Sequence, residues 1–395
     1  MNAPRVLCSA CCAVVGVLSA SAFEKVALID SFDFARNFDI ETATGTKAVA
    51  DYCESVGANV LWWRANGGAL QRYPGREENS PTLENPFCKI RLSDERDYFG
   101  WLRLDRGECD LMKCALDHIR GKGLPAGIHM SYEENHWGAS TLGGWNAEHP
   151  QYWVKAKDGS PWPGRSSMTF REVFERKLRM IDELLAYSPS TLYIDMWRSG
   201  GWTVRFEYVQ PMLERWAKLH GGEEPPADWT DARWLKLFSE YQHAYFRGIK
   251  DLIRKRGSVT KLCVGVGGMS ETEDVCWKNY ALDWKALAAE GTLDCVAITS
   301  VEADRRKDRV WDSMRRIYDY VMRNRGQAEI YFSCNMYNYH AGIPDYVRLT
   351  GLSNGEVAKR LLALAQEAGA KGVVLECVDY KNYPDDVCAE LRAIK

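Results

Sequence analysis

Short apolar runs alternate with longer amphipathic segments along most of the chain. Eight runs have the length and composition of buried strands: Val26–Asp30, Asn59–Trp63, Ala126–Met130, Thr191–Met196, Lys261–Val266, Leu293–Thr299, Glu329–Cys334 and Gly372–Cys377. The segments that follow them have the spacing of amphipathic helices: Thr46–Val56, Gly107–Lys122, Thr169–Tyr187, Asp231–Lys255, Ala281–Glu290, Arg309–Asn324, Asn354–Ala368 and Asp385–Ile394. This alternation is typical of parallel strands joined by crossover helices.

Eight such units close most simply into an α/β fold of one domain, a (β/α)8 TIM barrel over residues 23–395. An open doubly wound sheet is the alternative, but Asp30–Asp33 after the first strand has no Gly-rich phosphate loop. Glycines follow five helices where a left-handed cap is expected: Gly57, Gly123, Gly291, Gly326 and Gly369. Long loops follow strands two and three, at Ala65–Arg106 and Ser131–Ser167, on the face where barrel enzymes form their sites.

Residues 1–22 have the features of a secretory signal peptide. Arg5 precedes an apolar stretch, Val6–Leu18, and Ala20–Ala22 forms an A-x-A cleavage site. A lipoprotein anchor at Cys11 or Cys12 is the alternative, but both cysteines lie within the apolar stretch. We therefore expect a secreted or periplasmic protein that has no membrane span after the signal is removed.

Composition narrows the classes of partner. The chain is 46% hydrophobic and 27% charged with a net charge of −3, which gives no basic footprint for nucleic acid and no polybasic membrane patch. Ten of the 13 cysteines follow the signal, and an even number in an exported chain permits disulfides. Four of them lie in predicted strands, where cysteine commonly serves as a small buried hydrophobe: Cys263, Cys295, Cys334 and Cys377.

The stretch Ser188–Trp202 carries the candidate chemistry. Side chains alternate in a strand, so Tyr193, Asp195 and Trp197 share one face, while an apolar face holds Leu192, Ile194 and Met196. A carboxylate at the end of a buried strand is costly unless it is paired or used. Pairing of Asp195 with Arg198 or loop amides is the structural alternative, but the aromatic neighbours favour a functional carboxylate.

The ends of the other strands are also polar or aromatic, and they would converge at one end of a barrel. The predicted substrate-binding residues are Asp30, Trp63, Arg64, Asn66, His129, Tyr132, Glu133, His136, Trp137, Trp197, Arg198, Asn335, Tyr337 and Glu376. The chain has 15 Trp and 19 Tyr, and rings of this kind stack on sugars. Six tryptophans on predicted loops suggest a binding cleft: Trp101, Trp137, Trp145, Trp153, Trp162 and Trp202.

Hydrolysis of a glycosidic bond uses two carboxyl groups that flank the bond. Asp195 is the candidate nucleophile, and Arg198 or His129 would keep it ionised. The acid candidates, in order, are Glu302, Glu271 and Glu376; a solvated or ion-paired carboxylate is the alternative for each. Glu376 has the same strand parity as Val374, which would turn it toward the helices.

Neither a metal nor a cofactor is expected. A hydrolytic metal barrel would present an H-x-H pair on its first strand and further histidines on later strands, whereas here His129 and His136 stand alone.

The first half of the chain, about residues 45–200, resembles the α-L-fucosidase family and related glycosyl-hydrolase-like bacterial barrels. The resemblance rests on Gly57–Trp63, Gly123–Trp137 and Ile181–Trp197. It implies that Asp195 is the catalytic nucleophile and that His129, Glu133 and Trp137 lie in the substrate pocket. Fucosidases carry a His-His-Asp-Gly-Phe run after strand two, and this chain has Ala65–Ala69 there instead, without the two histidines that hold the sugar.

The sequence therefore predicts an exported glycosidase that acts on a carbohydrate substrate through Asp195 by a retaining route. A barrel that binds carbohydrate without cleaving it is the main alternative, and a metal-dependent hydrolase is a third and weaker one.

Overall fold

Eight parallel strands form a closed barrel in their order along the chain, which confirms the predicted (β/α)8 architecture. The computed structural model describes residues 22–29, 37–38, 42–67, 70–71, 81–82, 110–132, 142–196, 204–271, 275–336, 342–376, 378 and 382–394. The barrel strands are β1 Glu24–Ile29, β2 Val60–Arg64, β3 Ala126–Ser131, β4 Thr191–Asp195, β5 Lys261–Val266, β6 Cys295–Ile298, β7 Glu329–Ser333 and β8 Gly372–Glu376.

A helix follows each strand and covers the barrel. These helices are α1 Ala43–Val56, α2 Leu111–Gly121, α3 Arg171–Leu185, α4 Ala232–Lys255, α5 Trp284–Ala289, α6 Val310–Asn324, α7 Asn354–Glu367 and α8 Asp385–Ala393. Additional helices lie in the connections at Gly144–Glu148, Gln210–Leu219, Val275–Tyr280 and Ile343–Thr350. No helix among the described residues is both long enough and apolar enough to cross a membrane.

Capping side chains set helix starts that the hydrophobic spacing alone misplaces. Helix α1 begins at Ala43, three residues earlier than predicted, because the Thr42 hydroxyl accepts a hydrogen bond from Gly45 N at 3.0 Å. Helix α5 begins only at Trp284 because the Asp283 carboxylate accepts from Ala286 N at 3.0 Å. The five predicted glycine caps all have positive φ, from 55° to 120°, and are confirmed.

Two apolar clusters lie on opposite sides of the barrel wall. Tyr193 belongs to the cluster inside the barrel, whereas Leu192, Ile194 and Met196 belong to the larger cluster between barrel and helices. The predicted alternation of faces in β4 is therefore confirmed, and Asp195 shares the inward parity of Tyr193.

The strand register stacks the inward side chains in layers. Strands of a TIM barrel are staggered by about two residues for every two strands, so each layer takes four side chains from alternate strands. One layer contains Trp62, Tyr193, Ala297 and Val374. The Trp62 and Tyr193 rings stack with centroids 5.1 Å apart, as this register requires.

Two glycines on the intervening strands make room for these rings. A Cβ at Gly127 would lie 2.2 Å from Trp62 Cδ1, and a Cβ at Gly265 would lie 2.0 Å from Tyr193 Oη. Each large side chain therefore fills the space that a neighbouring strand leaves open.

Among the cysteines that the structure describes, Cys263, Cys295, Cys334 and Cys388 are free thiols. Cys263, Cys295 and Cys334 are fully buried in strands or at a strand end, which confirms their prediction as small buried hydrophobes. Cys377 lies outside the described residues.

The loop after β3 adds a small structure at the carboxyl end of the barrel. Its antiparallel strands Trp153–Lys155 and Pro161–Ser166 pair with each other, and Lys155 also pairs with Glu207 from the loop after β4. The two loops are thereby joined beside the end of β4.

Candidate functional site

The carboxyl ends of the strands hold a layer of polar side chains directly above the Trp62 layer. Continuing the register by two residues on each strand places Arg64, Asp195, Thr299 and Glu376 in this layer. We call these four residues the polar layer. All four are buried although three of them are ionisable, so the fold buries titratable side chains at the barrel mouth.

Asp195 lies against the side chain of His129, which is paired with Tyr193 in the register of β3 and β4. His129 Nε2 is 3.3 Å from Asp195 Oδ2, and neither side chain is more than 1% exposed. The His129 ring meets the Tyr193 ring edge to face at 4.9 Å, which fixes the imidazole below the carboxylate. A protonated His129 at this distance would stabilise ionised Asp195 by charge.

Arg64 and Asn66 join β2 to the end of β3 through Ser131. Arg64 Nη2 donates to Ser131 Oγ at 2.6 Å, and Arg64 Nε donates to Asn66 O at 2.5 Å. The Asn66 side chain accepts from Ser131 N at 2.8 Å and donates to Ser131 O at 3.3 Å. These bonds hold the predicted residues Arg64 and Asn66 rigidly at the mouth, next to the register partner of Asp195.

Asn335 lies at the mouth as predicted, on the far side from Arg64. Its Nδ2 donates to Ser333 Oγ at 2.7 Å and approaches Thr299 O at 3.5 Å. Asn335 therefore links the ends of β6 and β7, and it is 2% exposed.

Glu376 faces into the barrel, so its predicted orientation toward the helices is wrong. Its parity with Val374 is as expected, but Val374 belongs to the cluster inside the barrel. Both faces of a parallel barrel strand are buried, so both faces are apolar, as at Val373, Val374 and Leu375. The hydrophobic pattern of β8 therefore does not show which face points into the barrel.

Glu271 is engaged in an ion pair on the outside of the barrel. Arg316 of α6 donates from Nε at 2.7 Å and from Nη2 at 2.8 Å to its two carboxylate oxygens. Arg316, followed by Ser313, lowers the pKa of Glu271, so the group is ionised at neutral pH. This geometry contradicts the assignment of Glu271 as an acid, because an acid must carry a proton to donate.

Glu302 is an exposed side chain on the outer rim. It lines a groove of about 310 Å³ together with Ala303, Arg305, Asp345, Tyr346, Arg348 and Leu349. The helix Ile343–Thr350 forms one wall of this groove, so Glu302 faces a neighbouring crossover rather than the polar layer.

Trp63 and Tyr132 do not line the mouth, which corrects their prediction as substrate-binding residues. Both belong to the cluster between barrel and helices and are at most 3% exposed. Tyr132 meets Tyr245 of α4 edge to face at 5.7 Å. It is Trp62, on the other face of β2, that lies under the site.

Each of the described loop tryptophans contacts a neighbouring group of the protein. Trp145 stacks on His149 at 4.4 Å and receives the Arg176 guanidinium at 4.5 Å. Trp153 is buried and donates from Nε1 to Asn146 O, while Trp162 contacts Phe206 with ring centroids 4.7 Å apart. The cleft that the loop tryptophans suggest stays a prediction.

Several predicted site residues lie outside the described parts of the chain. They are Asp30, Glu133, His136, Trp137, Trp197, Arg198 and Tyr337, together with the loop tryptophans Trp101 and Trp202.

Tyr280 and Arg165 are buried residues that the sequence analysis did not single out. Tyr280, from the helix after β5, is 1% exposed, and burial raises its pKa well above the usual value. Cys276 and then Asp195 add to this rise in pKa, and Arg165 opposes it, so Asp195 and Arg165 both act electrostatically on Tyr280.

No group of three or more His, Cys, Asp and Glu side chains within the described ranges could hold a metal ion.

Known structures with this architecture include several glycoside hydrolases. The glycoside hydrolase domain of PgaB (BpsB) from Bordetella bronchiseptica has a TM-score of 0.58 at 12% identity, over 94% of this chain and 99% of that one. The β-galactosidase from Marinomonas ef1 also has a TM-score of 0.58 at 12% identity, over 94% of this chain and 58% of that one. The α-L-fucosidase isoenzyme 2 from Paenibacillus thiaminolyticus has a TM-score of 0.56 at 12% identity, over 94% and 48%.

This chain thus spans about half the length of the fucosidase and somewhat more of the galactosidase. At such identities the likeness shows the fold alone. No family model matches the chain, and no curated protein matches it by sequence.

Proposed function

We propose that the protein is an exported glycoside hydrolase in which Asp195 is the nucleophile of a retaining double displacement. The observation that carries the proposal is the buried pair of Asp195 and His129 at the mouth of the barrel, with Nε2 and Oδ2 3.3 Å apart. Glycoside hydrolases among the structural neighbours support the reaction class, and the signal-like residues 1–22 support export.

The geometry suits a carboxylate that must remain ionised until it attacks. Asp195 is fixed from below by His129, which is itself held against Tyr193. A nucleophile held in one orientation loses little entropy when it reacts with the anomeric carbon. The rigid Arg64–Ser131 contact beside it offers a charged and a hydroxyl group to sugar oxygens.

The substrate is a glycan, and its sugar remains open in this proposal. The fucosidase-like stretches around Asp195 support a related chemistry, but Ala65–Ala69 replaces the two histidines that hold fucose in that family. A panel of substrates is therefore needed rather than a fucoside alone.

The test is a screen of the mature protein, starting at Phe23, on aryl α- and β-glycosides and natural glycans, with Asp195→Asn alongside. Asn has nearly the same shape as Asp but cannot form the glycosyl ester, so turnover should fall by at least about 10³-fold while substrate binding persists. The anomer released first, followed by NMR, reports retention. Equal turnover by wild type and Asp195→Asn would refute the nucleophile, and binding without turnover in both would favour a carbohydrate-binding barrel.

A further inference from the structure

The partner carboxyl group of Asp195 can be identified from the polar layer. We infer that Glu376 is the acid-base residue of the site, an assignment that rests on the proposed glycosidase function. The sequence ranks Glu376 below Glu302 and Glu271, and the structure reverses that order.

Glu376 is positioned opposite Asp195 in the barrel. Asp195 on β4 and Glu376 on β8 belong to the same layer, and their strands stand four apart in a closed barrel of eight. They therefore face each other across the axis. The interior of an eight-stranded barrel is just wide enough to be filled by side chains, so inward carboxyl groups of one layer converge. Two carboxyl groups that flank a common space are what glycoside hydrolysis needs.

The surroundings of Glu376 differ from those of Asp195. Glu376 is 6% exposed, and the residue below it on the inner face is Val374. Burial disfavours the charged form of a carboxyl group, and a second carboxylate across the layer disfavours it further. Within the layer Arg64 stands two strands from both Glu376 and Asp195, so its charge does not distinguish the two carboxyl groups. His129 does, because it lies against Asp195 at 3.3 Å and favours the ionised form of that residue. An ionised nucleophile opposite a buried carboxyl group that carries a proton is the arrangement that divides the two roles.

The strand end that carries Glu376 is held by hydrogen bonds. The Tyr383 hydroxyl donates to Glu376 O at 3.1 Å and approaches Cys334 O at 3.4 Å, so it ties the end of β8 to the end of β7. Glu376 therefore projects from a fixed strand end, whereas Glu302 lies on an exposed rim and Glu271 is held outside by Arg316.

The chemistry balances with these two residues alone. Asp195 attacks the anomeric carbon and forms an ester bond, while the bond to the leaving oxygen breaks and that oxygen takes the Glu376 proton. In the second step ionised Glu376 takes a proton from water, the water oxygen attacks the anomeric carbon, and the ester bond to Asp195 breaks. The net change is hydrolysis, with both carboxyl groups returned to their starting states.

The test compares Glu376→Gln and Glu376→Ala on aryl glycosides with good and poor leaving groups, with and without azide. We expect kcat/KM to fall about 10²–10⁴-fold for the poor leaving group and much less for the good one. Azide should restore turnover of Glu376→Ala and give a glycosyl azide, because a small anion enters the vacated space and needs no base. In both variants the fall in kcat/KM at high pH, which reports loss of the proton from the catalytic acid, should disappear.

Glu302→Gln and Glu271→Gln serve as matched controls, since each removes one carboxylate without a change of shape. The inference is overturned if Glu302→Gln shows the leaving-group and azide signature, or if Glu376→Gln changes KM alone. Glu376→Asp controls for a folding defect, because it keeps a carboxyl group and only shortens the side chain. If kcat equals the wild-type value both in Glu376→Asp and in Glu376→Gln, the inference is also overturned. Full activity of Asp195→Asn would instead refute the proposed function, so the two failures are distinguishable.

Discussion

A single methyl group added at Gly265 should lower both stability and activity, because the Tyr193 ring packs directly against the Gly265 backbone. The added Cβ would lie 2.0 Å from Tyr193 Oη, 2.5 Å from Cζ and 2.7 Å from Cε2. Gly265 is paired on both sides, with Asp195 and with Ala297, so the backbone cannot retreat. The Tyr193 ring must therefore move.

The magnitude follows from these distances. Real Cβ contacts under 3.0 Å are essentially absent, so the ring has to shift by about 1 Å or more, and overpacking of this kind costs about 1–3 kcal/mol of unfolding free energy. His129 packs on the same ring at 4.9 Å and positions Asp195. Since a misplacement of about 1 Å near the chemistry can cost about 100-fold, we expect kcat of Gly265→Ala to fall by about 10- to 100-fold.

The assay is denaturant unfolding together with steady-state kinetics on Gly265→Ala, Tyr193→Phe and the double variant. Removal of the hydroxyl relieves the shortest contact, so the double variant should recover part of the loss, with a coupling energy of about 0.5–3 kcal/mol. Gly121→Ala is the control, because a Cβ there meets nothing within 4 Å. The reasoning is refuted if Gly265→Ala is as stable and active as Gly121→Ala, or if Tyr193→Phe brings no recovery.

Two further outcomes are expected. Lys261 Nζ lies 2.6 Å from Glu329 Oε2. Burial alone would lower the pKa of Lys261. The hydrogen bond to Glu329 and the charges of Cys295 and Glu329 outweigh burial, so the pKa of Lys261 is raised above 10.5. The pair is partly exposed, so Lys261→Met should cost at most about 1 kcal/mol below pH 10.5. This cost should vanish as the pH rises through the folded-state pKa; urea unfolding across that range checks it, and a constant cost would contradict it. When the native protein is alkylated briefly, Cys114 should react well before Cys334, because burial raises the pKa of the Cys334 thiol to about 12. Peptide mass mapping measures the two rates, and equal rates would contradict the buried placement of Cys334.

Much of the fold could be predicted from the sequence because each strand and helix carries its own local signal. In β4 one carboxylate breaks an otherwise apolar run, so the faces of Tyr193 and Asp195 could be assigned before the structure. The helix starts at Ala43 and Trp284 depended on the side chains of Thr42 and Asp283, which hydrophobic spacing ignores.

The inward faces of β2 and β8 could not be predicted in the same way. Val60–Arg64 is buried on both faces, so neither Trp62 nor Trp63 is marked as inward by alternation. The register decides: Trp62 stacks on Tyr193 inside, and Trp63 packs on the helices. Glu376 was misplaced for the same reason, since the side of a barrel wall is a property of long-range pairing and not of local sequence.

The pairing of β1 with β8 affects how the chain folds during its synthesis. Lys25, near the start of β1, donates from Nζ to Leu391 O at 3.0 Å, a contact 366 residues apart in the chain. A second bond from Nζ to Ile394 O, at 2.6 Å, secures the segment after α8. Such distant contacts form late, because the entropy of closing a long loop must be met first. During synthesis β1 can pair only with β2, so its other edge stays open until the final strand has emerged; this open edge is a point at which a chaperone, or aggregation, could act on the unfinished chain.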